Sequence, residues 1–387
     1  MTGDPRGRTV VVVGAGIVGT AIAAAAARRG HRVTVIDRGR PGPGATAAAM
    51  GHVVAPPEPP SLRALCAYSR GLWRERAGPW RGRVPIREGG TLWLASTRED
   101  AGAIDAMVAT MRAQGAPVEV LDGPAARRRA PALAPGIRGA AFVPDDLLVD
   151  PVAAAEALRA EAEGAGAAFR LGCAVDRLVD RGVVLEGGHT VLGEAVVVAA
   201  GAVSSRLLPE LRLVPRKGHV LRLAPIPGIG TAELAEIGYW RSTRPPAGAT
   251  AVAFNAQPLP DGSVDLGASR ADGDGRADPE PETVRRLLER ARSFLPSLGW
   301  ASVRSVRTGP RPATPDGLPY LGPVAGRDGV WVATGHEGLG ITASLGTAEV
   351  VAALLDGRAA PVPIGDFAPS RRVGGSVGRC GTESGRR

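Results

Sequence analysis

One run near the start constrains this chain more than any other: Val10-Val11-Val12-Val13-Gly14-Ala15-Gly16-Ile17-Val18-Gly19. Four β-branched apolar residues before a glycine read as a buried strand. Gly14 permits a tight turn, Gly16 lets the backbone approach a pyrophosphate, and Gly19 lets helix and strand pack closely. A helix follows through Thr20 to Arg29 and stops at Gly30. Its first N–H groups and its dipole suit an anion. A second strand, Arg32-Val33-Thr34-Val35-Ile36, ends at Asp37, whose carboxylate suits ribose hydroxyls. This order predicts a dinucleotide cradle built by Gly14, Ala15, Gly16, Ile17, Val18, Gly19 and Asp37. NAD and FAD share such a cradle, so the motif alone does not choose between them.

The rest of the chain narrows the choice. Arg38 opens a stretch rich in small residues, Ala45-Thr46-Ala47-Ala48-Ala49-Met50-Gly51-His52, that can lie against a large flat ligand. A later strand, Ala195-Val196-Val197-Val198-Ala199, ends on Ala200-Gly201. The last third carries Gly309-Pro310-Arg311-Pro312-Ala313-Thr314-Pro315-Asp316-Gly317 and then Thr334-Gly335-His336-Glu337-Gly338-Leu339-Gly340-Ile341-Thr342.

On these two late motifs the chain resembles the FAD-dependent D-amino-acid oxidase superfamily, over roughly residues 8 to 365. Within it the chain looks most like D-hydroxyproline dehydrogenase-like proteins. The resemblance implies non-covalent FAD and a small amino- or imino-acid substrate. It also implies an electron acceptor that is oxygen, a quinone or a partner subunit. It puts Arg38, Thr46, Ala47, Met50, Gly51, Val175, Ala200, Gly201 and Gly309 against the cofactor. Gly338, Leu339, Gly340, Ile341 and Thr342 would open a helix whose positive end faces the flavin. Arg311 would hold the substrate carboxylate, since a guanidinium gives a permanent, two-point charge. Glu337, His336, Asn255 and His52 complete the expected catalytic set, with Glu337 a candidate for the substrate amine. Two departures bear on substrate choice: Pro56-Pro57-Glu58-Pro59-Pro60 follows Met50-Gly51-His52, and Asn255 stands where glycine oxidases are aligned with a tyrosine. The alternatives are a sarcosine- or opine-type secondary-amine dehydrogenase subunit and a non-catalytic flavin-binding subunit.

Composition excludes little but corrects one impression. The formal charge is +9, yet Lys217 is the single lysine among 47 basic residues, and no basic cluster is interleaved with aromatics. The excess is therefore poor evidence for nucleic-acid binding. Cys66, Cys173 and Cys380 are far apart and form no metal spacing, which fits free thiols in a reducing cytoplasm. No leader and no unbroken apolar span are read, so a cytoplasmic protein without a transmembrane segment is expected, and an oligomer is compatible with it.

The predicted fold is α/β: a Rossmann-type FAD-binding domain with an interleaved substrate domain of antiparallel sheet plus helices. The expected FAD domain comprises residues 1–85, 144–215 and 301–367, the substrate domain 86–143 and 216–300, and a disordered tail 368–387. Helices are read near Leu62–Arg76, Asp100–Arg112, Pro151–Glu163, Glu282–Phe294 and Ala343–Leu355. Strands are read at His219–Leu223, Thr250–Gln257 and Ser263–Gly267, with Asp261-Gly262 as a hairpin turn. Tyr239, Trp240 and Arg241 are candidates for a lid.

Overall fold

A computed structural model describes residues 7–42, 44–56, 58–241, 249–273, 278–298 and 303–371. Its first sheet has six strands, in the order Tyr320–Pro323, Val330–Thr334, Ala195–Val198, Thr9–Val13, Arg32–Asp37 and Ala168–Leu171. All pairs are parallel except the first. The central strand Thr9–Val13 is flanked on both sides, which is why it reads as uninterrupted valine.

Helix Ile17–Arg28 packs on this sheet and against helices Gly340–Leu355 and Pro151–Gly164. Its alanines Ala21 to Ala26 are almost fully buried, so two helices approach without large side chains between them. Helix Gly340–Leu355 also meets helix Pro60–Ala77, and a Cβ on Gly346 would lie 2.9 Å from Ser69 Cβ. The span Glu337–Leu355 is long and apolar enough to cross a membrane, but 78% of its most apolar window is buried inside the protein. It is the core helix of the first sheet.

The second large sheet has eight strands: Val303–Ala313, Val214–Leu223, Val264–Asp272, Ala251–Pro258, Glu233–Glu236, Thr91–Ala95, Gly139–Val143 and Glu119–Asp122. Only the Glu233–Glu236 and Thr91–Ala95 pair is parallel. Helix Pro281–Arg292 covers one face, with Leu287, Leu288 and Ala291 in a core shared with Phe254 and Phe294, whose rings stack at 4.4 Å. The hairpin at Asp261-Gly262 forms as read, with Gly262 at φ +81° and the Gly262 N–H bonded to Leu259 O.

Three expectations shift. Residues 303–313, grouped by sequence with the dinucleotide-binding part, form an edge strand of the eight-stranded sheet instead. An edge tolerates Pro310 and Pro312, which lack a donor. The strand read as ending at Gly267 continues to Asp272. Residues 368–371 of the expected tail are ordered: Arg371 donates from Nε to Asp316 Oδ2 at 2.7 Å and lies 4.1 Å over the Tyr320 ring, while 372–387 lie outside the described residues.

Candidate active site

A cavity of about 640 Å³ lies between the two large sheets. One end is set by the glycine turn. Gly14 has φ +110°, and a Cβ on Gly19 would sit 1.9 Å from Gly14 O, so neither position accepts a side chain. Ala15 N–H donates to Asp37 Oδ2 at 2.7 Å and Gly39 N–H to Oδ1 at 2.8 Å. Each carboxylate oxygen keeps a lone pair for a further donor. Thr46 Oγ1 accepts from Ile17 N–H at 3.1 Å, and a Cβ on Gly16 would stand 3.3 Å from the same hydroxyl. The bare Gly16 backbone and the helix start thus face the cavity, which extends past Arg38 to Cys173, Val175 and Glu186.

The other end is arginine-rich. Arg311, on the edge strand, lies over Gly218 of the neighbouring strand. A Cβ on Gly218 would be 2.2 Å from Arg311 Nη1, so only glycine leaves this space. Arg311 Nη1 donates to Ser269 O at 2.9 Å. The Ser269 hydroxyl is held in turn: His219 N–H donates to it at 2.9 Å, and His219 Nδ1 is also 2.9 Å away. His219 Nε2 accepts from Glu280 N–H at 3.0 Å, which leaves the ring proton on Nδ1. Burial lowers the His219 pKa to about 4, so this neutral tautomer persists at pH 7. Among the described residues no carboxylate comes within ion-pair distance of Arg311.

Glu337 is already engaged. Its Oε1 accepts from Arg270 Nε at 3.1 Å and lies 4.0 Å from Arg216 Nη1, while Gly338 N–H donates to Oε2. Burial alone raises a carboxyl pKa, but Arg270, Arg311 and Arg216 outweigh it and hold Glu337 at about 2. Its backbone sits at φ +47°, an uncommon conformation for a side-chain-bearing residue. Glu337 lines the cavity, as a group expected to face a substrate amine should, and at the same time fixes arginines. Arg270 lies 4.2 Å beneath the Tyr239 ring, which lines the cavity; the side chains of Trp240 and Arg241 lie outside the described residues. His336 lines the cavity but pins Thr347, Nε2 to Oγ1 at 3.0 Å, and burial lowers its pKa to about 4.

His52 and Asn255 line both this cavity and a smaller adjoining one. Between them stands Glu233, 1% exposed and unnoticed in the sequence. Asn255 Nδ2 donates to Glu233 Oε1 at 2.8 Å, and His52 Nδ1 is 3.1 Å from the same oxygen. Burial raises the Glu233 pKa to about 8 and lowers that of His52 to about 4.

A family model described as FAD dependent oxidoreductase matches residues 9–354. The chain belongs to this family. Its cofactor is FAD, and its chemistry is amino-acid oxidation. Glycine oxidase of Geobacillus kaustophilus is 32% identical over 381 residues, covering 94% of this chain and 97% of that protein. D-amino acid dehydrogenase of Cereibacter sphaeroides is 29% identical, covering 94% and 95%. The solved structure of glycine oxidase from Geobacillus kaustophilus superposes with a TM-score of 0.84 at 30% identity, covering 95% of this chain and all of that one (100%).

The residues present fit the cofactor: a side-chain-free cradle, an anion-facing helix start and an acid with spare acceptors line one continuous cavity. Of the sequence-derived cofactor set, Ala15, Gly19 and Ala47 do not line it. Ala15 and Gly19 shape the turn, and Ala47 is exposed on the far side of the short helix Ala45–Ala48. Leu339 and Thr342 line the smaller cavity; Thr342 Oγ1 donates to His52 O at 3.0 Å. Gly218 and Glu233 were missed. A glycine flanked by Lys217 and His219 carries no local signal, and a glutamate opening a short strand reads as surface.

Proposed function

We propose that the chain oxidises the Cα–N bond of a small amino or imino acid, of the glycine, D-amino-acid or D-hydroxyproline kind, with Arg311 holding the substrate carboxylate. One observation carries this reading: a cavity-lining guanidinium, braced by Ser269 O and seated over Gly218, with no carboxylate at ion-pair distance among the described residues. Beside it, Arg216 and Arg270 are engaged by Asp272 and Glu337, which favours Arg311 among the described arginines at this end of the cavity for an incoming anion. Its pKa is lowered by burial, but a guanidinium remains charged at any working pH.

Bound FAD supplies a two-electron acceptor that takes the Cα hydrogen as hydride, leaving an imine that water hydrolyses or that stays cyclic. Orientation is what this chain's side chains add. Arg311 fixes the carboxylate, and Asn255 presents a buried Oδ1 with no partner. FAD is held without a covalent bond in this reading. Cys66 is buried and its thiol pKa is pushed up, and Cys173 lies at the Val175 end of the cavity.

The test is anaerobic flavin reduction with a panel of D-, L- and N-alkyl amino acids and their decarboxylated amines. Carboxylate-bearing compounds should bleach the flavin, and Arg311→Ala should suppress them while leaving the amines unchanged. Equal losses for acid and amine would sink the assignment.

A further inference from the structure

Oxidising an amino acid raises a problem that the reading above leaves open. An ammonium must lose a proton before its Cα hydrogen can leave as hydride. Beside Arg311, Glu337 is held by arginines and His336 by Thr347, so neither is a free base.

Behind His52 lies an unused group of buried acids. Glu233 Oε1 meets His52 Nδ1 at 3.1 Å. Glu233 Oε2 accepts from Thr91 Oγ1 at 3.4 Å, and the same hydroxyl stands beside Asp146. Asp146 is 2% exposed, and its Oδ2 makes no well-formed hydrogen bond. Its Oδ1 accepts from Arg70 Nη2 at 3.0 Å, and Arg70 also binds Asp145, which reaches the surface. The groups therefore run from cavity to surface in the order His52, Glu233, Thr91, Asp146, Asp145.

We propose that Glu233 and Asp146 hold one exchangeable proton between them, and that this pair, reached through His52, takes up the proton a substrate loses from its nitrogen. Two buried carboxyls sharing one hydroxyl, of which only Asp146 has an arginine beside it, do not both ionise readily. Charge from the other side does not change this. Arg216 and Arg270 across the smaller cavity are engaged by Asp272 and Glu337, and Glu58 there is itself acidic. Burial raises Glu233 to about 8 and Asp146 to about 7, with the charge of Asp146 adding to the rise at Glu233 and that of Asp145 to the rise at Asp146.

The step balances. The substrate N–H bond breaks and its electron pair stays on nitrogen. His52 gains a proton at Nε2, which has no well-formed hydrogen bond, as it yields the one at Nδ1. An O–H bond forms at Glu233 Oε1 as the one at Oε2 breaks and gives its proton to Thr91, whose own proton moves to Asp146; the pair begins with one proton, on Glu233, and ends with both carboxyls protonated. His52 ends neutral, as it began. In this scheme His52 meets the substrate, and Glu233, Thr91 and Asp146 act through it.

The proposal rests on the amino-acid reading, so its test has two arms. In the first, infrared pH-difference spectra are taken on FAD-loaded protein without substrate. A protonated-carboxyl carbonyl stretch should persist above pH 7, vanish as the pH passes about 8, and be absent in Glu233→Gln. In the second, anaerobic flavin reduction by the best amino acid of the panel is followed from pH 6 to 10. Glu233→Gln, isosteric and loaded with FAD, should be roughly 100-fold slower at pH 7, with the gap closing at high pH where free amine is abundant. Thr91→Val should show the same closing gap with a smaller loss. A missing carboxyl band, or wild-type rates and pH profile in Glu233→Gln, overturns the proposal. If no amino acid reduces the wild-type flavin, the amino-acid reading fails, and the infrared arm still decides the proton pair.

Discussion

Gly218→Ala is a substitution whose effect should fall on one side chain. Gly218 lies opposite Gly309 across the strand pair and has no positive φ, so alanine is acceptable to its backbone. The added methyl would sit 2.2 Å from Arg311 Nη1 and 2.4 Å from Cζ. The three nearest atoms all belong to the far end of that flexible side chain, so the guanidinium should move by about 1.3 Å to reach van der Waals distance. That shift breaks its bond to Ser269 O and misaligns the two-point fork. A charge-assisted hydrogen bond contributes roughly 1.5–3 kcal/mol, so carboxylate affinity should fall by about 10- to 150-fold. The assay is titration of the oxidised flavin with a non-reducible carboxylate, alongside reduction rates for an amino acid and its amine analogue. FAD content should be unchanged. The double variant with Arg311→Ala should lose no more than Arg311→Ala alone, because the methyl then has nothing to displace. Additive losses would refute the reasoning, and so would unchanged carboxylate affinity in Gly218→Ala.

Other expectations test the remaining parts. Gly16→Val should prevent FAD loading, read as flavin absorbance per protein, because its side chain would crowd Thr46 and enter the cavity. Asp37→Ala should weaken FAD retention without changing substrate preference, and it should also lower Tm, since two backbone N–H groups lose their acceptor. Glu233 is raised from 4.5 to about 8 in the fold, so its protonated form favours the folded state; that contribution is whole below pH 4.5 and disappears as pH rises to about 8. The Tm of Glu233→Gln relative to wild type should therefore improve between pH 5 and 8, and a constant difference would contradict the burial argument.

What was legible in the sequence follows from how local each constraint is. The cradle was legible because a tight turn and a close helix–strand approach each demand glycine at one position, and both demands fall within ten residues (10–19). Helix Pro151–Gly164 was legible from Asp150, whose side chain accepts from Val152 and Ala153 N–H, and from Pro151 in the first turn. The edge strand Val303–Ala313 was not, because Gly309, Pro310 and Pro312 imitate a loop, and only its place at the sheet margin makes them harmless. The engagement of Glu337 was hidden for a related reason. Its partners Arg270 and Arg216 lie on other strands, and no spacing along the chain reveals that they consume its charge. Glu233 was hidden because its burial is created by Thr91, His52 and Asn255, which approach it from three separate strands.

That convergence says how the two halves of the cavity are kept in step. Strand His52–Val53 pairs with Leu147–Val149, outside both large sheets. Thr342, in the first turn of the core helix, donates to His52 O at 3.0 Å and accepts from Val54 N–H at 3.3 Å. On the other side Met50 packs where a Cβ on Gly267 would lie 2.9 Å from its sulfur, and the His52 ring meets Glu233. Residues 50–54 are thus fastened by backbone to the dinucleotide-binding half and by side chain to the eight-stranded sheet. Thr342→Val keeps the volume but removes both hydrogen bonds. It should let His52 drift from Glu233 while leaving Arg311 and the glycine cradle intact. Its signature would be normal FAD content and normal carboxylate affinity with slower flavin reduction at neutral pH, a combination that damage to either half alone does not produce.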